Sequence, residues 1–291
     1  MKNRLFSTLA LWLTVGVALF FKIWGGLTFL LLLTGAAHWE LCTLLRASGA
    51  RPQREISVAL GIIVQVGLCW SILSGGTAGA AMHGIYPVVL PGLLVSVVAF
   101  ALLASPAKLV AVFVAAPTAL SWLYIPCGIA PLTCLAAEFW ANGRDVSGLL
   151  LVVWFIATVK FADCGALILG TRFGKHKLAP KISPGKSWEG AVGAVATAAA
   201  VGAGIAWLFG HYAAPLGWTV SGFTAGKAAL LALPLAALGI PSDLVESVFK
   251  RHAGVKDSGN TIPGIGGAFD LLDSLILTAP AGYLLFKFFV I

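Results

Sequence analysis

The chain is short of charge. Only 10% of its 291 residues are Asp, Glu, Lys or Arg, where a soluble domain carries about 25%. That deficit excludes an ordinary water-soluble globule. Short strands of alternating apolar and polar residues are missing too, which excludes a transmembrane β-barrel. The five cysteines, Cys42, Cys69, Cys127, Cys134 and Cys164, form no C-x-x-C pair and all lie in apolar stretches. They read as small buried hydrophobes, with no disulfide and no zinc. The five histidines are scattered without metal spacing. Basic residues are not interleaved with aromatics, so no nucleic-acid partner is expected. No small-x-small cleavage site precedes Lys22, so the apolar run after MKNR reads as a retained span.

What the chain has is apolar length. Apolar residues make up 59% of it, and the mean hydropathy is +0.96. Runs of about 20 apolar residues match the thickness of a bilayer. The pattern predicts an all-α, polytopic integral membrane protein with about nine transmembrane helices. The expected spans are 5–21, 23–46, 56–74, 84–104, 108–137, 147–170, 189–209, 227–249 and 266–290. The fifth holds Pro117, Pro126 and Pro131 and is expected to kink or split. With the N-terminus cytoplasmic, most of the 19 basic residues fall on the inner side, as the positive-inside rule asks. Two cytoplasmic loops then stand out, 171–188 and 250–265.

The acids are unevenly placed. Asp163, Glu189, Asp243, Glu246, Asp257, Asp270 and Asp273 account for most of the 11 acidic residues. An ionisable group within a span costs a few kcal/mol and is a functional hypothesis by default. Asp163, Asp243 and Asp270 each lie a few residues from the inner end of their span, in one layer beneath the cytoplasmic surface. DLVES at 243–247 and DLLDS at 270–274 repeat one spacing. Asp243, Glu246, Ser247 and Lys250 share a helix face, as do Asp270, Asp273 and Ser274. Carboxylates gathered this way repel unless a cation sits among them. Oxygen-rich clusters suit a hard divalent ion, Mg²⁺ most often when phosphates are the substrate. The competing readings of these acids are an ion-pair network or a proton path in a transporter or channel. Glu40 and Glu138 look isolated, and helix packing explains them as well as function does.

Both loops combine bases with glycine and proline. In TRFGKHKLAPKISPGKSWEG, Gly185-Lys186-Ser187 suggests a phosphate-binding P-loop. The motif fails, because Pro180 stands where its first glycine belongs and no strand leads into it. Ser187 can still cap the helix that follows, whose N-terminus attracts anions. The second loop, KRHAGVKDSGNTIPGIGG, carries Lys250, Arg251, Lys256 and Asp257 among glycines that let backbone amides approach a ligand.

The stretch SVFKRHAGVKDSGNTIPGIGGAFDLLDS, 247–274, resembles the signature of the phosphatidate cytidylyltransferases, also called CDP-diacylglycerol synthases. Asp163-Cys-Gly-Ala, GTRFGK, LAPKISPGKSWEG and PSDLVES are similar to that family too. The likeness is dense over 160–280, whereas the first 140 residues match in hydropathy alone. Two positions depart from the pattern. Ile265 stands where the family usually has His, and Leu271 where it usually has Arg.

The resemblance implies transfer of CMP from CTP to phosphatidic acid, giving CDP-diacylglycerol and pyrophosphate, in the cytoplasmic (inner) membrane with the site facing the cytoplasm. A CTP transferase for another lipid phosphate is the neighbouring alternative. By resemblance Asp243, Glu246, Asp270, Asp273 and Lys250 are catalytic, and Asp243, Asp270 and Asp273 hold Mg²⁺, with room for a second cation. Ser183, Lys186, Ser247, Arg251, Lys256, Asp257 and Asp163 are expected to bind substrate. Residues 1–140 would form N-terminal transmembrane helices that shape a lipid cavity or pack in a homodimer. Residues 141–291 would form the catalytic transmembrane region. The expected partners are CTP, phosphatidic acid and membrane lipids.

Overall fold

The computed structural model describes residues 14, 17, 20–73, 108–141, 145–217, 220, 222–262 and 266–290. Seven helices among these are long and apolar enough to cross a membrane: Trp24–Ala47, Arg54–Ser71, Ala116–Ala137, Val146–Phe173, Trp188–Ala213, Ala225–His252 and Ala268–Phe289. They coincide with seven of the expected spans, which makes the chain mostly helical and consistent with a polytopic membrane protein. The expected span at 84–104, nearly all of that at 5–21, and Ile265 lie outside the described residues.

The helices, in chain order, are α1 (Lys22–Ala47), α2 (Arg54–Leu73), α3 (Lys108–Tyr124), α4 (Pro126–Ala141), α5 (Asp145–Phe173), α6 (Trp188–Leu208), α7 (Ala225–His252) and α8 (Ala268–Phe289). Two short strands, β1 (Lys177–Ala179) and β2 (Ser183–Ser187), pair antiparallel within the first basic loop. The helices divide into two compact units. One is Met1–Asp145 with Phe249–Leu272, and the other is Val146–Val248 with Asp273–Ile291.

In the first unit, α1 turns into α2 at Gly49, whose φ of 91° suits glycine. The Arg46 guanidinium closes that turn by donating to the Pro52 carbonyl at 3.1 Å and pairing with Glu55 at 3.2 Å. The expected break in the fifth span falls at Ile125, between α3 and α4, within one apolar stretch long enough to span, Ala116–Ala137. The Ile125 amide still donates to Ser121 O and Ile129 to Ile125 O, so the bond missing there is the one Pro126 cannot make. Polar side chains tie the unit's interior. His38 Nε2 lies 3.0 Å from Ser57 Oγ and 3.2 Å from Ser121 Oγ, linking α1, α2 and α3.

In the second unit, α5 and α6 cross closely because both present glycine. A Cβ on Gly165 would overlap Thr197 and come within 2.7 Å of the Gly193 carbonyl. Further along the pair, the fully buried Trp154 indole donates to Gly202 O at 2.8 Å. It packs edge-on to Phe223 and Phe286, with ring centroids 5.1 and 5.5 Å away, the arrangement aromatic quadrupoles favour.

Candidate active site

Three helices bring three carboxylates together. Asp163 of α5, Asp243 of α7 and Asp273 of α8 each offer an oxygen, and these oxygens all lie within 4.8 Å of one another. The apolar spans set the helices side by side, and the acids take the positions where they meet. Two lysines answer the charge. Lys160, one helical turn before Asp163, donates to Asp273 Oδ1 at 2.9 Å and to Ser274 Oγ at 2.7 Å. Its ammonium also lies 3.6 Å from Asp163 Oδ2. Lys186, carried in by β2, pairs with Asp243 Oδ2 at 3.2 Å and donates to the Ile240 carbonyl at 3.2 Å.

Serines fix the orientation of this group. Ser274 Oγ donates to Asp163 Oδ2 at 3.1 Å, and its amide donates to Asp273 Oδ1 at 2.6 Å. The Ser242 hydroxyl donates to the Asp273 carbonyl, tying α7 to α8. One atom has nothing to bind. Asp243 Oδ1 is buried and accepts no hydrogen bond. A buried acceptor without a donor costs about 1–3 kcal/mol. Three carboxylate oxygens at this spacing, with an unsatisfied oxygen on one of the three aspartates, fit a hard divalent cation, across which opposed oxygens sit about 4–5 Å apart.

A second group of acids lies in the first unit. Lys250 Nζ donates to Asp270 Oδ1 at 2.9 Å. The other Asp270 oxygen accepts from the Ser258 amide at 3.0 Å and the Gly267 amide at 2.7 Å, and lies 3.0 Å from the Ser258 hydroxyl oxygen. Glu40, which the sequence leaves isolated, is buried and joins the same segment through Ser258 Oγ, 2.8 Å away.

The expected residues thus distribute as follows. Asp243 and Asp273 share a cluster with Asp163, which the resemblance assigned to substrate. Asp270 binds Lys250 and the loop amides. Glu246 is buried on α7, and Ser247 beside it is half-buried. Ser183 opens β2, and Ser187 caps α6, accepting from the Gly190 amide at 3.1 Å. Arg251 is exposed in the last turn of α7, which extends to His252 into the expected second loop, and Lys256 and Asp257 are exposed on the loop beyond it. Glu189, half-buried in the first turn of α6, pairs with His176 just before β1 at 2.7 Å. Lys160 is the residue that sequence reasoning passed over. Its signal was available, since a lysine three residues before an aspartate inside an apolar span places both on one face.

The sequence matches the cytidylyltransferase family over residues 2–289. Among curated relatives, phosphatidate cytidylyltransferase of Haemophilus influenzae is 42% identical over 147 residues, 50% of this chain and 48% of that protein. The Brucella suis protein of the same name is 40% identical over 49% of each chain. That of Pseudomonas aeruginosa is 44% identical over 48% of this chain and 46% of its own. By these alignments the chain spans about half the length of the curated relatives it matches. The family match runs almost from end to end, and it takes in every carboxylate and lysine of both acid groups: the chain belongs to the cytidylyltransferase family.

Proposed function

We propose that the protein is a phosphatidate cytidylyltransferase of the inner membrane, working at the cytoplasmic face. The observation that carries this reading is the carboxylate cluster of Asp163, Asp243 and Asp273, with its unsatisfied Asp243 oxygen and its two lysines. It occurs in a chain of a family named for cytidylyl transfer. In the reaction a phosphatidic acid phosphate oxygen attacks the α-phosphorus of CTP. A new P–O bond forms, the α–β bridging P–O bond breaks, and pyrophosphate leaves with the electron pair. Two anions must meet, so catalysis is chiefly positioning and charge neutralisation.

Asp163, Asp243 and Asp273 would hold Mg²⁺, which supplies Lewis-acid stabilisation of charge on the phosphate oxygens. Lys160 and Lys186 balance the remaining carboxylate charge and hold the three acids in register. Lys250, Arg251 and Lys256 are assigned to the phosphates of the substrates, and Asp257 to nucleotide binding. Gly254, with nothing within 4 Å of its Cβ position, leaves the loop backbone open to an anion. Asp270 fixes Lys250 and the loop amides. Ser183 and Ser247 are assigned polar contacts to substrate, and Glu246 to orienting Asp243 on the same helix face.

The test uses the full-length protein purified in detergent, with CTP, Mg²⁺ and phosphatidic acid. Release of pyrophosphate and appearance of a CDP-lipid are expected from the wild type. Asp243→Asn and Asp273→Asn should each lose at least about a hundredfold in turnover, since each removes a charged metal ligand. CTP turnover with another lipid phosphate alone would reassign the substrate. Ion flux in liposomes without any CTP turnover would refute the enzyme reading.

A further inference from the structure

The start of α8 is built without a cap of its own. The helix begins at Ala268, so Gly267 is the capping residue, and glycine has no side-chain oxygen to offer the free amides of the first turn. Glu40 supplies those oxygens from α1. Its Oε1 accepts from the Ala268 amide at 3.0 Å, and its Oε2 from the Phe269 amide at 2.9 Å. The same two oxygens accept from the hydroxyls of Thr261 and Ser258. These four donors all lie in the segment 258–269.

Asp270 completes the other half of the arrangement. It is the third residue of the helix, and its carboxylate reaches back to the Gly267 amide at 2.7 Å, as an acid at this position does in a capping box. Ser258 joins the two carboxylates, its hydroxyl 2.8 Å from Glu40 and 3.0 Å from Asp270. Gly267 has a steric reason as well. A Cβ there would overlap both Glu40 Oε2 and Ser258 Oγ. The glycine is the space into which Glu40 fits.

We infer that Glu40 is a positioning residue for the proposed cytidylyl transfer. It caps α8 in place of Gly267 and holds Ser258 beside Asp270, which in turn holds Lys250. This rests on the proposed reaction for its catalytic consequence but not for the cap itself. A carboxylate accepting from two amides and two hydroxyls is a set of charge-assisted bonds, favoured further by the positive end of the helix. Glutamine keeps the shape but turns an NH₂ towards two donors.

The experiment uses the full-length protein in detergent, with hydrogen exchange and transfer kinetics measured on the same preparations. In Glu40→Gln the amides of Ala268 and Phe269 should exchange at least about tenfold faster, while those of the α8 interior keep their protection. The kcat/KM for transfer should fall at least about tenfold, because the residues that Glu40 holds adjoin those assigned to the substrate phosphates and the nucleotide. A reciprocal pair separates capping from general packing. Glu40→Ala and Gly267→Ser should each be impaired, the first for want of a cap and the second by overlap. The double variant should recover activity and protection above either single change, since the introduced serine can cap locally once Glu40 is gone. Unchanged exchange at Ala268 and Phe269 in Glu40→Gln overturns the inference, as does a double variant worse than both singles. A wild type without cytidylyl transfer would sink the proposed reaction and the catalytic half of this inference, and exchange at Ala268 and Phe269 would then decide the cap by itself.

Discussion

Lys160→Met tests the balance of charge in the carboxylate cluster. The cluster carries three aspartates against two lysines, a formal charge of −1 that becomes −2 when Lys160 is lost. Methionine fills similar space without a cation. Breaking a fully buried pair by removing one partner costs about 3–5 kcal/mol. The Lys160 side chain is 30% exposed and Asp273 18%, so screening reduces the expected loss to about 1–3 kcal/mol. At about 2–4 °C per kcal/mol for a chain of this size, the unfolding midpoint should drop by several degrees in metal-free buffer. Mg²⁺ should then act in the opposite sense. The ammonium that repels a dication is gone, and at contact separations that repulsion is several kcal/mol for an effective dielectric of about 20. Half-saturation by Mg²⁺ should therefore move to at least about tenfold lower concentration, and the stabilisation by excess Mg²⁺ should exceed that of the wild type. Thermal unfolding of the detergent-solubilised protein across a Mg²⁺ series, at one scan rate, reads both quantities. A midpoint unchanged without metal, together with a Mg²⁺ response no stronger than that of the wild type, would refute the view that Lys160 neutralises a cation site.

Two further outcomes follow from the second unit. Gly165→Ala should destabilise by about 1–3 kcal/mol, because its Cβ meets Thr197 and the Gly193 backbone across the α5–α6 crossing; Gly204→Ala, with nothing within 4 Å of its Cβ, should be neutral or slightly stabilising by helix propensity, and comparing their unfolding midpoints checks the crossing. Ser187→Ala should cost about 1 kcal/mol through the lost cap on Gly190 and should speed hydrogen exchange at that amide more than anywhere else in α6.

The spans were legible because length and hydropathy answer to one physical quantity, the thickness of hydrocarbon. The cap at Ser187 was legible for a similar reason, since serine before a helix acts on amides three residues away. The partners of the acids were harder to read. Helical spacing puts Asp243 with Glu246 and Asp270 with Asp273, but it does not say which helix faces which. The depth of Asp163 puts it in one layer with Asp243, and Lys160 shares its face three residues earlier, but neither fact says which helices meet. Glu40 illustrates the limit most plainly. Its donor Ser258 is 218 residues away, and a lone acid in an apolar run gives no hint of a partner so distant. The hairpin β1–β2 was also hidden, because SPGKS is poor in the β-branched and aromatic residues that mark strands. Its pairing comes from chain geometry between two helices rather than from propensity.

An apolar bundle can keep a carboxylate in two physically different ways, and this chain uses both. At Asp163, Asp243 and Asp273 the compensating charges are lysine ammonium groups on flexible stems, and one oxygen is left without a donor. Such an arrangement is adjustable, because a lysine can swing aside when a dication or a phosphate arrives. At Glu40 the donors are two backbone amides fixed by the start of a helix and two short hydroxyls of the loop before it. None of them is a cation on a long stem, so the carboxylate serves as a strut. Asp270 stands between the two kinds, with amides on one oxygen and Lys250 on the other. The proposed transfer would bring two anions together, and for it the lysine pairs of the cluster would be the part that re-pairs and Glu40 the part that stays.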